Sequence, residues 1–179
     1  LVIANESVVQ QNFARSIGEE KSVVLYNYGD RFLREKKTSE PAKEFDLIYT
    51  GTITKLRGAF QILRAIKLIK KQIPSIKCLF IGNYYPETLK AEMNAFLKEN
   101  NLEKQVFLFD AVPYLEIGNY YSKSKIGLLV LERVRTYEIS MPIKLFEYMT
   151  FGLPIIGSNF GHMNSYIEED KCGITVDPA

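Results

Sequence analysis

Ser140-Met141-Pro142-Ile143-Lys144-Leu145-Phe146-Glu147-Tyr148-Met149-Thr150-Phe151-Gly152-Leu153-Pro154-Ile155-Ile156-Gly157-Ser158 reads as a helix, a turn and a strand in succession. Pro142 suits the first turn of a helix, where its missing N–H is not needed, and Ser140 or Met141 stands just ahead as cap. About three turns follow, with Ile143, Phe146 and Met149 on one face. Gly152 is placed to end the helix in the left-handed conformation, and Pro154 blocks its continuation. Ile155-Ile156 then reads as a short buried strand. Lys144 and Glu147 lie three residues apart near the helix N-terminus, where partial positive charge and free N–H groups attract anions. A cation and a hydrogen-bonding carboxylate in that place point to a phosphate-bearing ligand. The plainer alternative is a surface ion pair worth roughly 0.2–0.5 kcal/mol.

The same alternation runs through the chain on both sides of this stretch. Strands are expected over 46–50, 77–82, 105–109, 125–131, 154–157 and 173–176. Helices are expected over 58–72, with Phe60, Leu63, Ile66, Ile69 and Ile73 as inner stripe, and over 86–100, with Leu89, Met93, Phe96 and Leu97. Further helices are expected over 114–122, 142–151 and 161–169. Strands apolar on both faces and alternating with helices predict an α/β fold: a doubly wound, Rossmann-like parallel sheet covered on each side. Residues 1–28 read as strand, helix and strand, and the charged run 29–44 as a solvated linker and boundary, with the main domain over 45–179. The chain is expected to start partway through a longer protein.

Composition narrows the function. The 179 residues are 46% hydrophobic and 25% charged, ordinary for a globular domain. A net charge of +2 gives no case for nucleic acid as partner. No apolar run approaches the length of about 18 residues that a membrane span needs. Cys78 and Cys172 lack metal-ligand spacing and read as reduced thiols of a cytoplasmic protein. His162 is the single histidine, so no transition-metal cluster is expected, and it reads as an exposed polar residue.

In doubly wound sheets, ligands bind beyond the carboxyl ends of the strands, where strand order reverses. That rule selects the loops 51–58, 82–85, 110–113, 132–141 and 158–162. Gly51-Thr52-Ile53-Thr54-Lys55-Leu56-Arg57-Gly58 joins a strand to a helix and carries Arg57, whose planar guanidinium suits phosphate; turn glycines with a solvated arginine are the alternative. The loop is neither G-x-G-x-x-G nor G-x-x-x-x-G-K-[ST]. After Ile81-Gly82-Asn83 the nearest acid is Glu87, beyond Pro86, which argues against a nicotinamide cofactor. Val112-Pro113 is an apolar, rigid turn that suits packing on a base ring, or simply a helix start.

Taken in order, Tyr49-Thr50-Gly51-Thr52 with Arg57-Gly58, Phe80-Ile81-Gly82, Pro142-x-Lys144-Leu145-Phe146-Glu147-Tyr148-Met149, Gly152-x-Pro154 and Gly173-Ile174-x-Val176-x-Pro178 carry a resemblance. Residues 45–179 resemble the C-terminal, donor-binding domain of GT-B glycosyltransferases of the family 4-like group. Leu25-Tyr26-Asn27-Tyr28-Gly29-Asp30 looks like the tail of the acceptor-binding N-terminal domain of such enzymes. The resemblance implies transfer of a sugar from a nucleotide-diphosphate sugar to an acceptor hydroxyl, as in polysaccharide biosynthesis. It further implies retained anomeric configuration and neither a cofactor nor a tightly held metal. A sugar or lipid-linked acceptor would be held by the other domain, so this part alone would be inactive. The full-length protein would be cytoplasmic, with attachment to a membrane surface open.

By the same resemblance, Arg57 contacts the diphosphate, Glu147 the ribose hydroxyls and Val112-Pro113 the nucleobase. Ser140, Met141 and Pro142 lie beside the donor sugar and phosphates, and Gly51, Thr52, Gly58 and Gly82 belong to the nucleotide-sugar loops. Two positions depart from the pattern. The family's E-x7-E motif would put glutamate at Ile139, whereas Glu138 stands one place earlier, with eight residues between it and Glu147. Thr52 stands where many relatives carry a cation, and Lys144 is the candidate to replace it. The other readings are a GT-B sugar-nucleotide epimerase or phosphorylase, and a nucleotide-binding module without catalysis.

Overall fold

A computed structural model describes residues 2–4, 7–30, 33 and 41–178. The main sheet has six parallel strands: β3 (Phe45–Thr50), β4 (Cys78–Ile81), β5 (Val106–Phe109), β6 (Ser124–Leu129), β7 (Ile155–Ser158) and β8 (Gly173–Val176). Their spatial order is β5-β4-β3-β6-β7-β8. The chain fills one side of β3 first, then crosses to the other, so strand order reverses between β3 and β6. At the amino end β1 (Val2–Ala4) and β2 (Ser22–Val24) form a separate parallel pair joined by α1 (Ser7–Ile17).

The inner strands are largely buried on both faces because the pleat sends alternate side chains to opposite layers, whereas the edge strand β8 leaves Ile174 and Val176 exposed. Leu47 and Tyr49 of β3 join a core with Leu63 and Ile66 of α2 (Ala59–Ile69) and Met93 of α3 (Leu89–Glu99). Ile48 joins the opposite core with Tyr121 of α4 (Tyr114–Ser122), Leu145 and Tyr148 of α6 (Ile143–Thr150) and Ile167 of α7 (Gly161–Glu169). Each fully buried side chain of this size contributes about 1.5–3 kcal/mol. The expected strands and helices are all present, and the sheet is doubly wound with helices on both sides.

Three details differ from expectation. First, the loop between β6 and α6 contains a short helix, α5 (Arg135–Glu138), and a 3-10 turn at Lys55–Arg57 precedes α2. Second, the inner stripe of α2 is Ala59, Ile62, Leu63 and Ile66, while Ile73, past the end of the helix, is 49% exposed. Third, the buried face of α6 is Lys144, Leu145, Glu147 and Tyr148, and Ile143 is largely exposed. Phe146 and Met149 pack only partly against the core. The expected linker over 29–44 falls largely outside the described residues.

Two close approaches fix the layer beneath the site. The Tyr148 ring lies so near Gly127 that an added Cβ would stand 2.5 Å from its Cδ2. A Cβ on Gly82 would stand 1.7 Å from the carbonyl oxygen of Gly51, so the β3 and β4 loops can meet only through glycine.

Candidate functional site

A cavity of about 650 Å³ opens at the carboxyl ends of the strands, where β3 and β6 part. Gly51, Thr52, Arg57, Gly82, Val112, Ser140, Met141, Pro142, Lys144 and Glu147 all line it. Gly58, Pro113 and Glu138 are not among its lining residues. Gly58 has φ 74° and closes the 3-10 turn behind the cavity, with Val130 pressed against it. Pro113 caps α4, and Glu138 ends α5 with its backbone against Gly161. His162 is exposed near the start of α7 and is not among the lining residues.

The β3 loop places Arg57 through the Thr54 hydroxyl, which accepts from the Arg57 amide at 3.1 Å and caps the turn. Arg57 Nε donates to the Tyr137 hydroxyl at 3.3 Å, and the guanidinium lies 5.7 Å from the centre of that ring. A backbone bond from Glu132 N to Leu56 O (2.8 Å) ties this loop to the one carrying α5. The amide of Gln61 strengthens the tie, donating to Glu132 Oε1 at 2.7 Å.

Glu147 sits on the inner face of α6 and is 7% exposed. Its Oε2 accepts from the Tyr121 hydroxyl at 2.7 Å. Because that proton points to the carboxylate, Thr50 Oγ1, 2.9 Å away, donates to the Tyr121 oxygen. Tyr148 continues the chain toward Thr50 at 3.4 Å and toward the carbonyls of Leu128 and Ile48 at 3.3 and 3.4 Å. Burial drives the Tyr121 and Tyr148 phenols well above the ordinary tyrosine value, so both remain protonated donors. Tyr114, at the cavity mouth, is pushed up to about 12 by burial and then by the Glu147 charge.

Lys144 is 9% exposed, and among the described residues its Nζ has no hydrogen-bond partner. The amine lies 3.6 Å from the centre of the Tyr49 ring. Burial first, and the Arg57 charge second, hold it well below the ordinary lysine value, with Glu147 opposing. Lys144 and Glu147 are therefore not an exposed ion pair; both turn inward to the cavity.

The sequence alone gives no role to Tyr114, Tyr121 or Tyr137, although Tyr114 and Tyr121 stand seven apart on one helix face. Asn27, from the amino-terminal segment, donates to the Met141 carbonyl at 3.1 Å and braces the rim. Among the described residues no group of three or more His, Cys, Asp or Glu gathers as a metal site. No helix among them is long and apolar enough to cross a membrane. Both cysteines are unpaired.

A parallel α/β domain that gathers an arginine, a buried lysine and a hydrogen-bonded carboxylate at the switch point has side chains of the kind that suit an anionic ligand. The glycosyl transferases group 1 family matches residues 30–179, and the chain belongs to that family. No curated protein sequence matches the chain significantly. Among solved structures, the pneumococcal O-GlcNAc transferase GtfA in complex with UDP and GlcNAc is similar with a TM-score of 0.73. It shares 19% identity over 99% of this chain and 34% of its own. Anabaena HepE in complex with UDP gives 0.76, at 18% identity over 100% of this chain and 50% of its own. The C-terminal domain of a glycosyl transferase group 1 protein from Francisella tularensis gives 0.62, at 21% identity over 84% of this chain and 77% of its own. The fold is the C-terminal half of the GT-B architecture. The chain spans a third to a half of the length of GtfA and HepE.

Proposed function

We propose that this chain is the donor half of a glycosyltransferase that moves a sugar from a nucleoside-diphosphate sugar to an acceptor hydroxyl. The observation that carries the reading is the convergence of Arg57, Lys144 and Glu147 on one cavity at the strand switch point. Bond cleavage at the anomeric carbon leaves negative charge on the diphosphate. Arg57 and Lys144 neutralise that charge, and countercharge fixed in place before the bond breaks costs no reorganisation at that moment. Glu147, oriented by Tyr121, accepts from the ribose hydroxyls. Val112 offers an apolar wall for the base, and the backbone of Ser140, Met141 and Pro142 faces the sugar. Uridine diphosphate is the favoured nucleotide, because GtfA and HepE were solved with it.

The chemistry needs neither a cofactor nor a resident metal, since the two cations supply the countercharge. A hexose leaves with its anomeric configuration retained. The acceptor, a sugar or lipid-linked sugar, is held by a facing domain, so the 179 residues alone bind the donor and transfer nothing. The two free thiols fit a cytoplasmic protein.

Calorimetric titration of the full-length protein with UDP, GDP and ADP tests the reading. One diphosphate is expected to bind selectively. Arg57→Ala and Glu147→Ala should each weaken it about ten- to a hundredfold, the worth of a hydrogen bond to a charged group. Absence of binding for all three diphosphates would overturn it.

A further inference from the structure

Among the described residues, the buried side-chain polar atoms without a hydrogen-bond partner are Gln105 Oε1 and Lys144 Nζ. Gln105 already donates through its amide to the Pro74 carbonyl, far from the cavity. Lys144 is different. It lines the cavity, and its amine rests 3.6 Å over the Tyr49 ring.

The groups around that amine decide its charge. From β3 it meets the Tyr49 ring, and that hydroxyl donates to the Thr52 carbonyl. The 3-10 turn brings Arg57, a permanent cation, and α5 brings Tyr137, whose hydroxyl accepts from Arg57. From α4 come Tyr121 and Tyr114, both influenced by Glu147. From α6 itself come Tyr148 and Glu147, the one opposite charge acting on the amine among the described residues, whose Oε2 already accepts from Tyr121. An ammonium here would be stripped of water, would have no acceptor, and would lie beside a guanidinium. Burial and like charge both disfavour the charged form. The ring face attracts an ammonium but restores neither its lost water nor a hydrogen-bond acceptor, whereas a neutral amine rests there without those costs. A diphosphate reverses the balance, because it brings oxygens that accept from the amine and negative charge that outweighs Arg57.

We infer that Lys144 rests as a neutral amine and takes up one proton when a nucleoside diphosphate enters the cavity, so that nucleotide binding and proton uptake are a single event. The balance is simple: the amine lone pair gains a proton from solvent, and the resulting ammonium donates to a diphosphate oxygen. On release of the diphosphate, the proton returns to solvent. Since binding then requires the protonated form, affinity falls as pH rises, approaching about tenfold per pH unit once the free amine is neutral. This inference rests on the donor-site reading above and adds a property that reading does not require.

The test titrates the full-length protein with UDP in buffers of different ionisation enthalpy between about pH 7.5 and 9, where the terminal phosphate, with a pKa near 6, is already ionised. Uptake of close to one proton per UDP is expected for the wild type at the upper end of that range. Lys144→Arg, whose side chain is always charged, should bind UDP with almost no uptake and a flat pH dependence. Lys144→Met, matched in shape and free of charge, should lose both the uptake and about ten- to a hundredfold in affinity. Circular dichroism of both variants checks that they fold. UDP binding by the wild type without uptake at any pH, or unchanged uptake in Lys144→Arg, overturns the inference and leaves the donor site standing. Failure of the wild type to bind UDP overturns both.

Discussion

At the scale of single residues, the position of one phenol decides how Glu147 can be used. Tyr121 stands on α4 and Glu147 on α6, and their 2.7 Å bond crosses the core beneath the cavity. Removing the hydroxyl leaves a buried carboxylate one donor short and free to turn. Tyr121→Phe is therefore expected to weaken UDP about tenfold or more. The loss should depend on the ribose: the advantage of UDP over 2′-deoxy-UDP should shrink in the variant, which a merely structural defect would not do. Titration of both nucleotides against wild type and variant checks this, and an unchanged ratio would remove Tyr121 from the site. This link was not legible in the sequence. Lys144 and Glu147 stood out as a cation and an acid opening a helix. Tyr121 lies 26 positions before Glu147, and only the crossover of α4 and α6 on the same sheet face joins them.

At the scale of elements, the inner strands were legible because they are largely apolar on both faces, as a sheet buried between two helical layers requires. The face of α6 was not. Ile143, Phe146 and Met149 make a plausible apolar stripe, yet the helix turns Lys144, Leu145, Glu147 and Tyr148 inward. Two titratable side chains have displaced apolar ones from the buried face, the local inconsistency expected where a helix serves a site. Tyr148 anchors this orientation by lying flat on Gly127 and reaching the Thr50 hydroxyl. Gly127→Ala would drive a methyl group into that ring, 2.5 Å from Cδ2. We expect a loss of about 1–3 kcal/mol in urea unfolding, the usual cost of overpacking a filled core. UDP affinity should fall as well, because a shifted Tyr148 no longer meets Thr50. Unchanged stability would mean that α6 is held elsewhere.

At the scale of the whole molecule, the cavity is, on the proposed donor reading, one wall of a larger arrangement. Tyr114 and Ile143 line its mouth yet are 49% and 48% exposed, and Leu115 beside them is 68% exposed. Tyr28, 73% exposed, extends this apolar surface from the amino-terminal segment, where its ring meets Phe146. An apolar rim of this kind around a polar cavity suits a facing domain rather than open water. Among the described residues Glu147 is the one carboxylate in the cavity wall: Glu138 stands outside it, and Glu147 is engaged with Tyr121. Donor binding and transfer should therefore separate. The 179-residue chain should bind UDP within about tenfold of the full-length protein, because on the proposed reading every phosphate and ribose contact comes from this chain. It should show no transfer above background when a UDP-sugar and acceptor are supplied, whereas the full-length protein transfers. Release of UDP, followed alongside glycosylated product, distinguishes the two steps. Transfer by the 179 residues alone would place the acceptor site within this sheet and its loops, and the exposed rim would then need another occupant.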